Sequence, residues 1–167
     1  MKPRPTIRII GIDPGSRATG YGVVDHSGSE IRLVAQGTIR PKAAAGFPER
    51  LQTIFDGLCE VIERTRPDVA AVETPFSGLN PRSLIQLAHA RGVILLAARK
   101  HGLEVFEYSP RSVKSAVVGY GGAEKHQVAT MVSLLVTGLA KEKMSSDAAD
   151  AVAIAICHAH TAGSPKR

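Results

Sequence analysis

The segment RIIGIDPGSRATGYGVVD, residues 8–25, decides the fold that the rest of the chain must complete. Positions 7–12 are mostly β-branched and predict a buried strand, and residues 19–25 predict a second strand. Between them, an Asp-Pro-Gly sequence that starts at Asp13 suits the first three positions of a type II turn. The turn accounts for Asp13 locally, but it also leaves a carboxylate at the end of a buried strand.

Apolar patterning downstream predicts an α/β fold. Residues 30–39 predict a third strand after a short turn, so the first three strands are expected to form an antiparallel meander. A helix at 47–64 precedes a buried strand at 68–73, an order typical of a crossover that leaves the new strand parallel to an earlier one. The remaining expected elements are a helix at 81–100, a strand at 103–108 and helices at 111–118, 123–137 and 145–160. We therefore predict a five-stranded mixed sheet, three antiparallel strands then two parallel, flanked by helices.

Composition favours one cytoplasmic domain. The chain has 167 residues, 44% of them apolar, which is enough for a buried core. We expect a single domain over 1–167, with short flexible basic ends near 1–6 and 162–167. Two cysteines without metal-ligand spacing, and no apolar leader or membrane-spanning run, favour a reduced cytoplasmic protein. The 21 Lys and Arg against 15 Asp and Glu give a net charge of +6, which favours a polyanionic partner only weakly.

Acidic residues mark three places in this expected fold. Asp13 and Glu73 end the first and fourth strands, and sites in an open α/β sheet form at the C-terminal ends of its strands. Asp147 and Asp150 are three residues apart and share one face of the last helix. A loop start would explain Glu73, and solvated first-turn carboxylates would explain the helical pair. However, the last helix is apolar almost all round, and burying two acids there is costly without compensation.

If these four acids meet, they should raise one another's pKa values or bind cations. Carboxylate oxygens without His or Cys ligands suit Mg²⁺ or Mn²⁺. Two such ions, roughly 4 Å apart, would activate a water and stabilise the leaving 3′ oxygen of a phosphodiester. The acids therefore predict metal-dependent phosphodiester hydrolysis, with Asp13 as the central ligand.

Four segments carry a resemblance to a known family: GIDPGSRATGYGVVD, the glutamate of VAAVETPF, SPRSVKSAVVGYGGAEKHQV and SSDAADAVAIAICHAH. In this order and spacing they closely resemble the RuvC family of Holliday-junction resolvases. The resemblance spans about residues 7–160 and implies an RNase H-like fold and a homodimer that cuts four-way DNA junctions symmetrically in recombination and repair. It also implies divalent-metal catalysis and cleavage after the branch-migration complex of RuvA and RuvB has acted.

The resemblance also implies roles for single residues. Four positions match the family's catalytic, metal-binding acids: Asp13, Glu73, Asp147 and Asp150. Phe76 matches an aromatic residue that stacks on a base near the junction centre, although a core anchor explains it nearly as well from sequence. Lys114 and Lys125 match basic residues close to the scissile phosphates.

Further DNA contacts are predicted from charge. Arg111, Lys114 and Lys125 outnumber the single acid Glu124 between positions 109 and 127, where glycines would let a phosphate approach. Arg82, at the start of the helix at 81–100, is a further candidate. A solvated helix face is the alternative for each cation. Three histidines could act as proton shuttles or ligands, but their spacing gives no metal signature and solvated or hydrogen-bonded histidines are commoner: His126, His158 and His160.

Two further questions stay open at the level of sequence. The helix at 81–100 carries small residues beside leucines, as in a buried crossover helix or a two-fold dimer interface, and the resemblance favours the dimer. Alternative functions are an RNase H-fold nuclease for structured RNA, an ATP-binding protein of the actin and sugar-kinase kind, and a junction-binding module without catalysis. The kinase reading lacks a second lobe and a second phosphate loop, and the non-catalytic reading requires loss of an acid.

Overall fold

The structure, a computed structural model, describes residues 5–75, 80–138 and 144–162. Its strands are β1 (Ile7–Asp13), β2 (Thr19–Ser27), β3 (Glu30–Ile39), β4 (Val69–Glu73), β5 (Glu104–Tyr108) and β6 (Val136–Gly138). Its helices are α1 (Phe47–Thr65), α2 (Pro81–Lys100), α3 (Pro110–Val118), α4 (Lys125–Leu135) and α5 (Ser146–Ala162). The strands of the described ranges form one mixed sheet in the order β5-β4-β1-β2-β3-β6.

The predicted strand pairing is confirmed, but the predicted number of strands is wrong. β1, β2 and β3 pair antiparallel, β4 runs parallel to β1, and β5 runs parallel to β4. The sequence predicted a helix at 123–137, whereas α4 ends before Val136, whose backbone is extended at φ −97° and ψ 144°. Val136 and Thr137 are β-branched and start a sixth strand parallel to β3. A three-residue strand is too short for apolar periodicity to reveal.

Helices cover both faces of the sheet because successive residues of a strand point to opposite sides. From β1, Ile10 and Ile12 pack against α1 and α2. Ile9 points to the other face, where it joins apolar side chains of α3, α4 and α5. By the same alternation, Asp13 belongs to the α5 face, and so does Glu73, two residues after buried Ala71.

Three glycines, which we call the glycine patch, let α5 lie directly on the backbone of β1 and β2. They are Gly11, Gly20 and Gly22. A Cβ atom added to Gly11 would collide with the carbonyl oxygen of Ala151, and one added to Gly20 would collide with that of Asp147, well inside the 3.0 Å that real Cβ atoms keep. The strand register pairs Gly11 with Gly22 and Gly20 with Asp13. The glycine patch therefore brings the first turns of α5 beside the end of β1.

The expectation that the last helix is buried is confirmed. Apart from Asp150, every residue of α5 from 148 to 159 is buried. The helix begins after Ser145, whose hydroxyl accepts a hydrogen bond from the Ala148 N–H at 3.2 Å, as an N-cap serine does. The same hydroxyl lies 2.8 Å from Oγ1 of Thr38, which ties the start of α5 to β3.

At the opposite end of the sheet, an ion pair between Arg8 and Asp25 joins neighbouring elements. The Arg8 guanidinium contacts both carboxylate oxygens of Asp25, at 2.7 and 3.0 Å, and donates to the Thr65 carbonyl at 2.7 Å. Hydrogen bonding to Arg8 lowers the pKa of Asp25 despite its burial. This contact joins β1, β2 and the end of α1. In the three described ranges, no helix combines the length and apolar character that a membrane crossing needs.

Gly20→Ala should destabilise the protein by about 1–3 kcal/mol, because the added methyl group pushes against the backbone of α5. A lower midpoint in thermal unfolding, followed by circular dichroism, would measure this effect. Gly122→Ala is the matched control, since the nearest atom to a Cβ there is Cδ2 of Tyr120 at 3.9 Å, an ordinary contact. A Gly20→Ala protein as stable as the wild type would contradict the tight contact.

Candidate active site

Two acids stand side by side at the C-terminal ends of neighbouring parallel strands. Ile12 of β1 pairs with Val72 of β4, so the next residues, Asp13 and Glu73, end strands about 4.8 Å apart. Both belong to the face of the sheet that α5 covers. The sequence prediction that these two residues share one edge is therefore confirmed by the strand register.

Three helices complete a cleft around these acids. α5 contributes Asp150, α3 contributes Arg111 and Lys114, and Lys125 is the first residue of α4. The cleft has a volume of about 490 Å³ and is lined by Asp13, Glu73, Pro110, Arg111, Val113, Lys114, Gly121, Lys125, Val128, Asp150 and Ala153. Acidic and basic side chains thus share one cleft with apolar residues of α3, α4 and α5.

Burial and mutual repulsion make the charged forms of the two strand acids costly. Burial, followed by the Glu73 and Asp150 carboxylates, raises the pKa of Asp13 to about 7. Burial and Asp150 likewise raise the pKa of Glu73 to about 6, although Lys125 and Lys114 act against the shift. Carboxyl groups with such pKa values hold their charges at a cost, which a bound cation would relieve.

Lys125 provides part of the compensation. Its Nζ lies 2.9 Å from Oδ2 of Asp150, and this contact raises the pKa of Lys125. The start of α4 is held by a capping box in which Gln127 Oε1 accepts from the Glu124 N–H at 2.8 Å. The Tyr120 hydroxyl donates to the same oxygen, also at 2.8 Å. These contacts fix the turn that carries Lys125.

Asp147 lies apart from the other three acids. It does not line the cleft, and its Oδ2 accepts a hydrogen bond from Nη2 of Arg40 at 2.7 Å. Asp147 still raises the pKa of Asp13, but less than burial, Glu73 and Asp150 do. Sequence reasoning missed Arg40. Its partner Asp147 lies 107 residues later, and the two meet only because of the way α5 packs on the sheet.

The donor chemistry of the cleft fits a hard divalent cation. Within 5–75, 80–138 and 144–162, no three His, Cys, Asp or Glu side chains are grouped tightly enough to form a ready metal site. Asp13, Glu73 and Asp150 nevertheless interact electrostatically and offer only carboxylate oxygens, the ligands that Mg²⁺ prefers. Cation binding at this site therefore requires small movements of these side chains toward one another.

The remaining predicted residues fall in different places. Arg111 and Lys114 line the cleft, whereas Arg82 is exposed in the first turn of α2 and does not line it. Phe76 lies outside the described residues.

None of the three histidines lines the cleft. His126 lies 3.2 Å from Glu124, and Nδ1 of His160 contacts the Ala116 carbonyl at 3.0 Å. His158 is buried, which lowers its pKa, and it shares a 2.7 Å hydrogen bond with the Tyr108 hydroxyl. Each of the three thus has a contact outside the cleft.

Comparison with known proteins identifies relatives across nearly the whole chain. The family described as "Crossover junction endodeoxyribonuclease RuvC" matches residues 9–158. A protein of that name from Chloroflexus aggregans is 48% identical over 161 residues, covering 96% of this chain and 98% of the relative. One from Citrifermentans bemidjiense is 49% identical over 155 residues, covering 93% of each. A structure described as "T. thermophilus RuvC in complex with Holliday junction substrate" superposes with a TM-score of 0.86 at 35% identity, covering 93% of this chain and 94% of that one.

Asp13→Asn should stabilise the protein in the presence of a chelator above pH 7, by about 1–2 kcal/mol. The folded state raises the pKa of Asp13 to about 7, from about 3.9 in an unfolded chain, so the ionised side chain costs stability that accumulates between about pH 4 and pH 7. The asparagine variant avoids this cost. Its thermal midpoint should exceed that of the wild type at pH 8, and the difference should shrink as the pH falls toward 4.

Asp56→Asn, on the exposed side of α1, is the control and should leave the pH profile unchanged. An Asp13→Asn protein that is less stable than the wild type at every pH would mean that the Asp13 carboxylate is not under electrostatic strain.

Proposed function

The chain belongs to the RuvC family of crossover junction endodeoxyribonucleases, and from that membership we propose that it resolves four-way (Holliday) DNA junctions during recombination and repair. The reaction is symmetric, metal-dependent hydrolysis of a phosphodiester that leaves 5′-phosphate ends. One observation carries the proposal: Asp13, Glu73 and Asp150 share a cleft with Lys114 and Lys125. The match over residues 9–158 and these cleft residues do not favour the RNA-nuclease and ATP-binding alternatives.

The family is metal-dependent, and the acids of the cleft are the proposed ligands. Mg²⁺, with Mn²⁺ as a substitute and two ions per site, would neutralise phosphate oxygens and supply an activated water. Asp13 and Glu73 come from rigid strand ends and would hold their oxygens in place. Asp150 would join them from α5, and Asp147 would join only after its carboxylate leaves Arg40.

The basic residues have a separate role in this proposal. The three carboxylates of the cleft repel a DNA phosphate, so cations in the same cleft are needed to attract it. Lys114 and Arg111 approach from α3, and Lys125 balances Asp150 until a phosphate competes for its ammonium group. Phe76 is proposed to stack on a base near the junction centre. Arg82 is proposed to contact DNA outside the cleft.

A homodimer is proposed because a junction with two-fold symmetry needs two cleavage sites related by an axis. One face of α2 offers a suitable surface. Ile85 and Leu96 are 57% and 60% exposed, and Gly92, which lies between them at helical spacing, has open space at its Cα. Two copies of this smooth, uncharged stripe could pack closely.

Three further expectations remain proposals. The nuclease unit is a single domain, supported by one sheet whose two faces are both covered by helices. The branch-migration complex of RuvA and RuvB is the proposed partner, and the cytoplasm is the proposed location; both follow from family membership.

The proposed activity is tested with three substrates: a synthetic mobile four-way junction, a linear duplex and a structured RNA, each with Mg²⁺ or with chelator. Paired, symmetric nicks should occur in the junction alone and only with the metal. Asp150→Asn should abolish the nicks while leaving junction affinity unchanged or higher, since it removes a negative charge near the phosphate. Cleavage of the RNA instead, or loss of junction binding together with cleavage, would contradict the proposal.

The proposed dimer is tested by placing a charge on the exposed stripe of α2. Leu96→Glu should convert a dimer into a monomer, because two buried carboxylates would face each other across the axis. Leu134→Glu is the matched control, since Leu134 is 73% exposed on α4, away from this stripe. Light scattering after size-exclusion chromatography measures the molar mass. Equal masses for the two variants would exclude this surface as the interface.

A further inference from the structure

A second cleft lies at the edge of the sheet that carries the acids, and all of its charged lining residues are cationic. It is formed by the loop between β1 and β2, the loop between β3 and α1, and the first turn of α1. Its volume is about 350 Å³, and its lining residues are Arg17, Pro41, Lys42, Ala43 and Arg50. We call it the arginine cleft. It shares no residue with the cleft around Asp13.

The charges of the arginine cleft are uncompensated. Three of its five lining residues are cationic and none is acidic. Arg17 and Lys42 are exposed, and neither forms an ion pair with another residue in the described part of the chain. By contrast Arg40, two residues before Lys42, is bound to Asp147. Like charges that converge without a counter-charge favour an anionic ligand.

Arg50 adds a directional donor. Its Nε atom is buried and has no hydrogen-bond acceptor among the described residues. The guanidinium lies over the ring of Phe47, 5.9 Å from the centroid, so packing restricts its orientation. A buried donor without an acceptor is costly, and a planar guanidinium matches the oxygens of a phosphate. The chemistry of the cleft thus selects an oxyanion.

The position of the arginine cleft favours DNA as the source of that oxyanion. Arg17 follows Asp13 by four residues, and Lys42 follows Arg40, whose guanidinium reaches Asp147 at the start of α5. The C-terminal ends of β1 and β3 and the start of β2 meet at this edge, because β2 is antiparallel to both. A DNA strand at the acidic cleft would therefore extend along the same edge of the sheet.

We propose that Arg17, Lys42 and Arg50 bind a backbone phosphate of the junction DNA other than the one that is cleaved. This inference rests on the proposed function. The contact positions the duplex arm and carries no sequence information, as backbone contacts in general do. It adds to DNA affinity through release of counterions.

The test measures junction affinity at several salt concentrations, with chelator present so that no cleavage occurs. The double variant Arg17→Gln/Lys42→Gln removes two exposed charges and keeps part of each apolar stem, so the fold should be retained. The slope of log affinity against log salt should become shallower by about 0.9 for each phosphate that the variant no longer neutralises. Arg50→Lys, which keeps the charge but not the planar fork, should weaken binding with little change in slope.

Arg64→Gln is the matched control. It removes one charge from the last turn of α1, about 21 Å along the helix from Arg50, and should leave the slope unchanged. A wild-type slope in the double variant would overturn the proposal. A second result would also overturn it: inorganic phosphate raises the thermal midpoint of the wild type but not of the double variant, while both proteins show the same slope of log affinity against log salt. That result would mark a site for a small anion. Junction cleavage by the wild type with Mg²⁺ is measured separately. Failure of the arginine-cleft proposal can therefore be distinguished from failure of the proposed function.

Discussion

The contact between α5 and the glycine patch is the constraint on which the site depends. With no side chain at Gly11, Gly20 or Gly22, an apolar helix reaches the backbone of two central strands. Gly20 is the register partner of Asp13 and also touches the backbone of Asp147. Packing and chemistry are therefore coupled, because the interface that buries α5 also sets the distance from the helix acids to the strand acids.

This arrangement leaves electrostatic strain in a well-packed core. The acids of α5 are kept near the buried interface by single cationic partners, Lys125 for Asp150 and Arg40 for Asp147. No such ion pair neutralises Asp13 within the described ranges, and its pKa rises to about 7. Functional sites typically lose stability in this way, because their charges are arranged to bind a ligand and the protein without the ligand is left with repulsion. A divalent cation would relieve the strain of the acids, as a DNA phosphate would relieve that of the arginine cleft.

Sequence reasoning succeeded where local pattern determines the outcome. A run rich in β-branched residues predicted β1, and the crossover rule predicted the parallel pairing of β4. Together they put Asp13 beside Glu73. It failed where long-range packing decides. β6 is too short for its period to show, and the partner of Asp147 is an arginine 107 residues away. The arginine cleft combines two loops and a helix start, so no single segment of the sequence carries its signal.

The central claim is that carboxylates from two strands and one helix act together as metal ligands in one cleft. Anomalous diffraction from crystals grown with Mn²⁺ measures this directly, because the peak marks the ion regardless of activity. We expect a peak in contact with Asp13 and within coordination distance of Glu73 or Asp150. Full Mn²⁺ occupancy elsewhere, with Asp13 contacting no ion, would contradict the claim.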